Sequence, residues 1–441
     1  MKNLPLVNQH VLALGKPAIV LTPDFKYALD LLEKTSSSIF VTGRAGTGKS
    51  TLLQNFRRTS AKRVVVLAPT GVSALNVGGQ TIHSFFRFPA RFLEEKDITR
   101  RRQKKTYKAM DVLVIDEISM VRADLLDAMD RVLRLTRNDA RPFGGVQVAL
   151  FGDLFQLPPV VASPEERHYF QTVYHSPYFF SARVMQEDFT IEYLELRKAF
   201  RQSSTHFLKM LDAVRTNQAD TDVLTELNSR WLPNQEAEEY TITLTARNAT
   251  ADRINMSELE RLEGKGRAFQ ATVSGTVQTK VFPAELMLTL KIGAQVMFVK
   301  NDADGEFVNG TIGRVVGMKD EGLVVECEDG QGQRRQVEVG RMTWEMVQYK
   351  LNEEKNTLDT EVVGTFTQFP IKLAWAITIH KSQGKTFDRV TIDMGRGGAF
   401  EHGQTYVALS RCRTLEGIIL KQPLRQNDIL VDPLVVDQYE Q

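Results

Sequence analysis

The chain has no run of about 18 apolar residues, which excludes a membrane-spanning helix. Cysteine is scarce: Cys327 and Cys412 are the only two in 441 residues. They lie far apart and lack metal-ligand spacing, so the expectation is two reduced thiols in a cytosolic protein rather than a disulfide framework. Met1 to His10 lacks the basic-then-apolar pattern of a secretory leader. A surplus of one charge sign is also missing. Lys and Arg number 56 against 54 Asp and Glu, for a net charge of +2. That excludes a bulk polycation, so any site for a polyanion is a local groove. What remains is ordinary for soluble globular chains, with 42% hydrophobic and 25% charged residues. At roughly 150 residues per domain, the length suggests about three domains.

The most informative stretch is Ser38 to Thr51, SIFVTGRAGTGKST. A β-rich run leads into Gly43-x4-Gly48-Lys49-Ser50, and a helical pattern follows from Leu52 to Arg58. Strand, glycine-rich loop and helix form the context a P-loop requires. Glycines let the backbone curl so that its N–H groups meet phosphate oxygens, and the helix N-terminus adds a favourable dipole. Gly43, Ala45, Gly46, Thr47, Gly48, Lys49, Ser50 and Thr51 are therefore assigned to nucleotide binding. Lys49 is expected at the β- and γ-phosphates of ATP, and Ser50 at a Mg²⁺ ion.

Val112 to Asp116 reads as a buried parallel strand that ends in Asp116-Glu117. Ligands gather at the carboxyl ends of such strands. Asp116 is expected in the Mg²⁺ shell, and Glu117 as the group that orients and deprotonates water. A carboxylate placed for water favours hydrolysis over phosphotransfer, against a nucleotide kinase. A third strand, Val146 to Phe151, leads to Gly152-Asp153-Leu154-Phe155-Gln156-Leu157-Pro158-Pro159 and places Gln156 as a γ-phosphate sensor.

The second half holds no further P-loop. It can reach the nucleotide through arginines, and Arg201 and Arg411 are the candidates, since a guanidinium at the γ-phosphate stabilises transition-state charge. Gln295 to Val299, Thr311 to Met318, Gly322 to Glu328 and Gln333 to Val339 are short alternating runs separated by Asn-Gly and Asp-Gly turns. They predict a small β-barrel. For nucleic acid, Ser84 to Phe92, SFFRFPARF, interleaves four aromatics with two arginines, the pattern for stacking bases and holding phosphates. The stretch from Arg87 to Lys108 adds nine basic residues against three acidic ones.

Together these segments resemble the Pif (petite integration frequency) helicases, 5′-to-3′ DNA motors of superfamily 1B related to RecD. The resemblance runs from about Leu21 to Leu420. Its most specific part is Asp124 to Val160, with RPFGG-Q and GD-x-x-QLPPV. Leu67 to Gly71 and Thr81 to Phe85 resemble the first DNA-contacting motifs. Phe200-Arg201-Gln202 resembles the arginine-finger motif, and Thr378 to Gly384 with Val407 to Arg411 resemble the last two.

The resemblance implies an α/β fold of two RecA-like P-loop domains. Domain 1A spans 1–190, with a small 1B wedge insertion at about 72–108. Domain 2A spans 191–441, interrupted at about 284–366 by an SH3-like 2B barrel. It implies Gly384 near the nucleotide, and Thr70, His83, Ser84, Phe85, His380 and Lys381 as DNA contacts. It implies an ATP-dependent DNA helicase, monomeric when free, acting in replication, recombination, repair or telomere-type maintenance. Its partners would be single-stranded DNA and single-/double-strand junctions, with G-quadruplex DNA and RNA–DNA hybrids as further candidates. The localisation expected is cytoplasmic, nucleoid-associated in a bacterium or phage-encoded. The alternatives are a DNA-stimulated ATPase switch and a RecD-like subunit of a recombination complex. One departure stands out: Leu21 to Lys26 holds no glutamine where such helicases read adenine. Base reading then falls to Gln9, to a backbone group, or to nothing, which admits other nucleotides.

Overall fold

A computed structural model describes residues 20–440, apart from 90, 103, 162, 188, 236–237, 276–281, 303, 320 and 329–331. Gln9 lies outside the described residues. The first half is built on a six-stranded, all-parallel sheet: β1 (Ser38–Thr42), β2 (Val64–Ala68), β3 (Gln80–Thr81), β4 (Val112–Ile115), β5 (Gln147–Phe151) and β6 (Ile191–Glu195). Their spatial order is β3-β2-β4-β5-β1-β6. The central strands read as unbroken apolar runs because both faces are covered. Alternate residues go to opposite sides: Ile39, Val41, Val112 and Val114 pack under the helices Pro23–Lys34 and Lys49–Thr59 with Phe25, Leu32 and Phe56. Phe40, Leu113 and Ile115 face the other way, into the larger core shared with the helix Ala123–Arg137.

A second parallel sheet orders Ala376–Thr378, Ile242–Thr245, Val390–Asp393 and Ile418–Leu420. Between its first and second strands in sequence the chain turns antiparallel. A five-stranded sheet runs Arg334–Gly340, Gly322–Glu328, Ile312–Met318, Gln295–Phe298, Ile371–Leu373, matching the four short runs expected there. Its apolar side, including Phe298, Val315, Val325 and Val337, closes on Phe269, Leu288 and Phe369.

Two boundaries are corrected. The strand Ile191–Glu195 pairs with β1 in register, so a division after residue 190 cuts the first sheet one strand too early. The antiparallel region likewise exceeds 284–366, because Arg267–Gln270 pairs with Met287–Leu290, and Ile371–Leu373 with Gln295–Phe298.

One element was not anticipated: a long hairpin of Met342–Asn352 and Thr357–Gln368, joined at its base by Thr272–Gly275. Its far end reaches the first sheet. β3 is only two residues long and covers β2 only at Leu67 and Ala68. The N–H of Val66, left over on that edge, donates to the Tyr349 hydroxyl at 3.0 Å. Arg63 donates to Asn356 at 2.9 Å, and Lys105 pairs with Glu353.

Candidate nucleotide and DNA site

β4, β5 and β1 are adjacent, so their carboxyl ends bring three loops together: Asp116-Glu117, Asp153–Gln156 and the glycine-rich loop. Gly43, Gly46 and Gly48 take φ of 137°, 83° and 90°, the left-handed region that a side chain resists. Gly48 begins the helix Lys49–Thr59 with no side-chain cap, which leaves its first N–H groups for an anion. Lys49 Nζ donates to the carbonyls of Gly43 (2.5 Å) and Arg44 (3.0 Å). Burial pushes its pKa down, while the carboxylates of Asp153 and Glu117 oppose that shift. Ser50 and Thr51 are exposed at the helix start. Asp116 and Glu117 both sit above the ordinary carboxylate range because burial penalises the charged form. Glu117 takes φ 51°, ψ 46°, the left-handed bend that ends β4.

The second half closes over this cluster. Phe200 N–H donates to the Gly46 carbonyl at 2.9 Å, and a Cβ placed on Gly46 would lie 2.5 Å from that of Arg201. Arg201 donates to the Ser410 carbonyl at 3.0 Å, while its Nε is buried with no partner among the described residues. Its pKa is lowered by burial first and then by the neighbouring Arg411. Arg411 is buried near Glu117, but its donors are engaged within its own half. They go to Val407 O (2.9 Å), Ser382 O and Lys385 O (both 3.4 Å) and Ser410 Oγ (2.8 Å).

Two contributors escaped the sequence reading. Asp153 is fully buried. Burial pushes its pKa up, but Arg215 and Lys49 outweigh that and hold it below its ordinary value. It accepts from Arg215 at 3.1 Å, from Gln156 Nε2 at 3.2 Å and from the Tyr406 hydroxyl at 3.3 Å. Tyr406 is the second. Its oxygen also accepts the N–H of Ala45 at 3.0 Å, so one phenol on the helix Gln404–Leu409 bridges the phosphate loop and the β5 loop. The helix gets that close because Gly403 has no side chain: a Cβ there would stand 2.5 Å from the carbonyls of Phe155 and Gln156. No sequence spacing signals this, since Ala45 and Tyr406 are 361 positions apart.

The arrangement fits a Mg²⁺-nucleotide. It offers an uncapped helix start, a buried guanidinium nitrogen with no partner among the described residues, and Lys49 facing the carboxylates of Asp153 and Glu117. No cluster of three or more His, Cys, Asp or Glu occurs among the described residues. A cation here would therefore lean on Asp116, Ser50 and the phosphates, as Mg²⁺ does. Gly384 lies in a turn at φ 74° and makes no hydrogen bond to the phosphate loop among the described residues.

The expected DNA contacts are scattered. Thr70 caps the helix Gly71–Asn76, accepting from Ser73 N–H at 3.2 Å. His83 is half-buried and Ser84 exposed on the short helix Ile82–Phe86. Phe85 is a correction. It is 7% exposed, packed 5.0 Å from Tyr107 and 6.0 Å from Tyr349, and Phe86 and Phe88 are buried beside it. These rings fill a core and offer no face to a base. Much of the nearby positive charge is also paired internally: Arg91 with Asp97 (2.8 Å), Lys96 with Glu94 (2.7 Å) and Lys105 with Glu353. His380 pairs with Glu401 at 3.0 Å, and Lys381 is exposed beside it.

A phosphate loop, a paired carboxylate and a guanidinium at the seam of two parallel sheets define a two-domain, RecA-like P-loop NTPase. Residues 22–223 match the PIF1-like helicase family, and the chain belongs to that family of ATP-driven DNA helicases. It is 32% identical to the ATP-dependent DNA helicase Pif1 of Bdellovibrio bacteriovorus, over 96% of this chain and 92% of that protein. Against PIF1 of Emericella nidulans the identity is 33% over 94% of this chain, which spans 62% of that longer protein. The structure of Bacteroides sp. Pif1 with ADP-AlF4 superposes with a TM-score of 0.88 at 36% identity, covering 96% of this chain and 97% of that one. Bacteroides Pif1 bound to single-stranded DNA gives 0.67 at the same identity and coverage. No helix among the described residues is long and apolar enough to cross a membrane.

Proposed function

We propose that this chain hydrolyses Mg²⁺-ATP in the cleft between its two parallel-sheet domains and uses the cycle to move 5′ to 3′ along single-stranded DNA, unwinding duplex and forked DNA ahead of it. The observation that carries the reading is the meeting of Lys49, Glu117 and Asp153 from one sheet with Tyr406 and Arg411 from the other half. Bound nucleotide supplies the anhydride bond. Asp116 and Ser50 hold the cation, Glu117 accepts the proton of the attacking water, and Lys49 and Arg201 balance charge on the phosphates. Because Tyr406 and Arg201 touch both halves, a change at the phosphates alters how the domains sit together, which converts chemistry into movement.

DNA would cross the carboxyl ends of both sheets, past Thr70 and Ser84 on one side and His380 and Lys381 on the other. The polarity rests on the family resemblance; the choice of single-stranded DNA and forks draws support from Bacteroides Pif1 solved with single-stranded DNA and from a Pif1 structure that addresses unwinding at forked duplex DNA. Binding of G-quadruplexes or RNA–DNA hybrids belongs to the same reading. The test is the ATPase rate with and without single-stranded DNA at two salt concentrations, followed by unwinding of duplexes with a 5′ or a 3′ tail. Stimulation that fades with salt, with unwinding of the 5′-tailed duplex, is expected. Stimulation without unwinding would mark a DNA-gated ATPase switch, and no stimulation would sink the DNA half of the proposal.

A further inference from the structure

The sequence offered four phenylalanines as base platforms, and those that carry the pattern are buried. An exposed ring stands elsewhere. Phe400 is 54% exposed and follows the strand Val390–Asp393 of the second sheet. Its backbone is fixed: Phe400 N–H donates to Gln404 Oε1 at 3.1 Å, and the preceding Ala399 N–H to Asp428 Oδ1 at 3.2 Å. A lone exposed ring is ordinary on a protein surface; what sets this one apart is the cleft it borders.

Its surroundings name the ligand's chemistry. Phe400 borders a cleft of about 430 Å³ together with Arg247, Asn248, Thr378, His380 and Lys381. Two parallel strands, Ile242–Thr245 and Ala376–Thr378, end there, and the carboxyl edge of a parallel sheet is where ligands gather. The Arg247 guanidinium lies 5.5 Å from the Phe400 ring centroid, and Arg247 also begins the 14-residue helix Asn248–Arg261 with no side-chain cap. Arg247 and Lys381 have no ion-pair partner among the described residues, while the neighbouring carboxylate, Glu401, is taken by His380. A half-exposed ring with a guanidinium over it, a second cation nearby and an uncapped helix start suits a chain that alternates flat rings with phosphates. That is single-stranded nucleic acid held without regard to sequence.

We infer that Phe400 is a base-stacking platform for single-stranded DNA on the second domain, with Arg247 holding an adjacent phosphate. This rests on the DNA-motor reading above and adds to it the residues that grip a base. The ring stacks on whichever base arrives. Arg247 stays beside the neighbouring phosphate, and Lys381 takes the next.

The experiment measures affinity for a fluorescein-labelled dT oligonucleotide at several salt concentrations, with wild type, F400A, F400W and R247A. F400A should weaken binding about ten-fold, equally for dT and dA, and leave the salt slope unchanged. R247A should lower the slope by about one. F400W should bind within two-fold of wild type, with tryptophan emission quenched by the oligonucleotide beyond any quenching of the three native tryptophans. An abasic oligonucleotide should bind wild type and F400A alike. ATPase without DNA should be unchanged in all three variants, which also shows that they fold. If F400A binds dT within two-fold of wild type and F400W shows no added quenching, the platform is refuted and the motor reading stands. If wild type itself binds no single-stranded DNA, both fall.

Discussion

The glycine-rich loop is a much sharper sequence signal than the Phe-Arg segment after it, and the two take different courses in the fold. The loop Gly43–Ser50 takes the backbone its residues require, with three glycines at positive φ and Lys49 turned onto its own carbonyls. The segment Ser84–Phe92 turns its rings inward, with Phe85, Phe86 and Phe88 all buried. The difference lies in what each signal constrains. A P-loop needs particular residues because of its backbone geometry, and few other structures need them. Phenylalanine spaced among arginines satisfies a groove or a core equally well, since long basic side chains lie over buried rings with their charged ends in water. Arg101 also lies over a buried ring, its guanidinium 5.2 Å from Phe88, though its donors turn to Thr99 and the Asp97 carbonyl.

Substitutions at six positions would break or sharpen that contrast. The largest effect is expected for K49A, which should cut ATP turnover at least about a thousand-fold; retained turnover would remove the loop from the site. R201A should lower kcat by about a thousand-fold with little change in KM for ATP, because Arg201 packs against Gly46 of the phosphate loop and keeps a buried Nε with no partner among the described residues. R411A is the control: its donors hold second-half carbonyls, so melting temperature should fall together with kcat. F85A should cost about 3–5 kcal/mol of stability by denaturant titration while sparing the affinity for single-stranded DNA of whatever protein remains folded. A loss of DNA affinity with no loss of stability would restore it as a platform. Y406F should leave the fold and ATP affinity in place and reduce kcat about ten-fold, most visibly as weaker stimulation by DNA, since it removes the bond between Ala45 and the second half.

The smallest effect concerns pH. Asp116 and Glu117 have folded-state pKa values above those of an unfolded chain. The folded protein then binds more protons, and nucleotide-free stability falls as pH rises from the unfolded values, near 4, through the folded ones. E117Q cannot charge, so the drop in melting temperature between pH 5 and pH 8 should shrink relative to wild type. An unchanged drop would place the titration elsewhere.

Much of the fold was legible in the sequence because its strands are either wholly buried or strictly alternating. β1, β4 and β5 fall within a residue of the expected runs, and the four short strands after Gly293 fall at their expected turns. The long hairpin was not legible: much of Thr357–Gln368 is exposed, so neither an apolar run nor an alternation marks its first half. The candidate cluster was legible where a strand end announces it, at Asp116-Glu117 and the P-loop. Tyr406, Asp153 and the engagement of Arg411 were not, because each depends on contacts between segments far apart in sequence. Phe400 was invisible for a related reason: a lone aromatic reads as core until its exposure is known.

The reach of the hairpin to Val66 has a consequence for how the protein behaves in concentrated solution. A strand edge with a free N–H is a template for any other strand, and chains that expose one pair with each other edge to edge. Here Tyr349, itself 4% exposed, covers that edge with a side chain carried in from nearly 300 positions away. Every conformation that lifts the hairpin off uncovers the template. Shortening the hairpin is then a route to clumped protein, and the folded tip acts as the molecule's guard against its own copies.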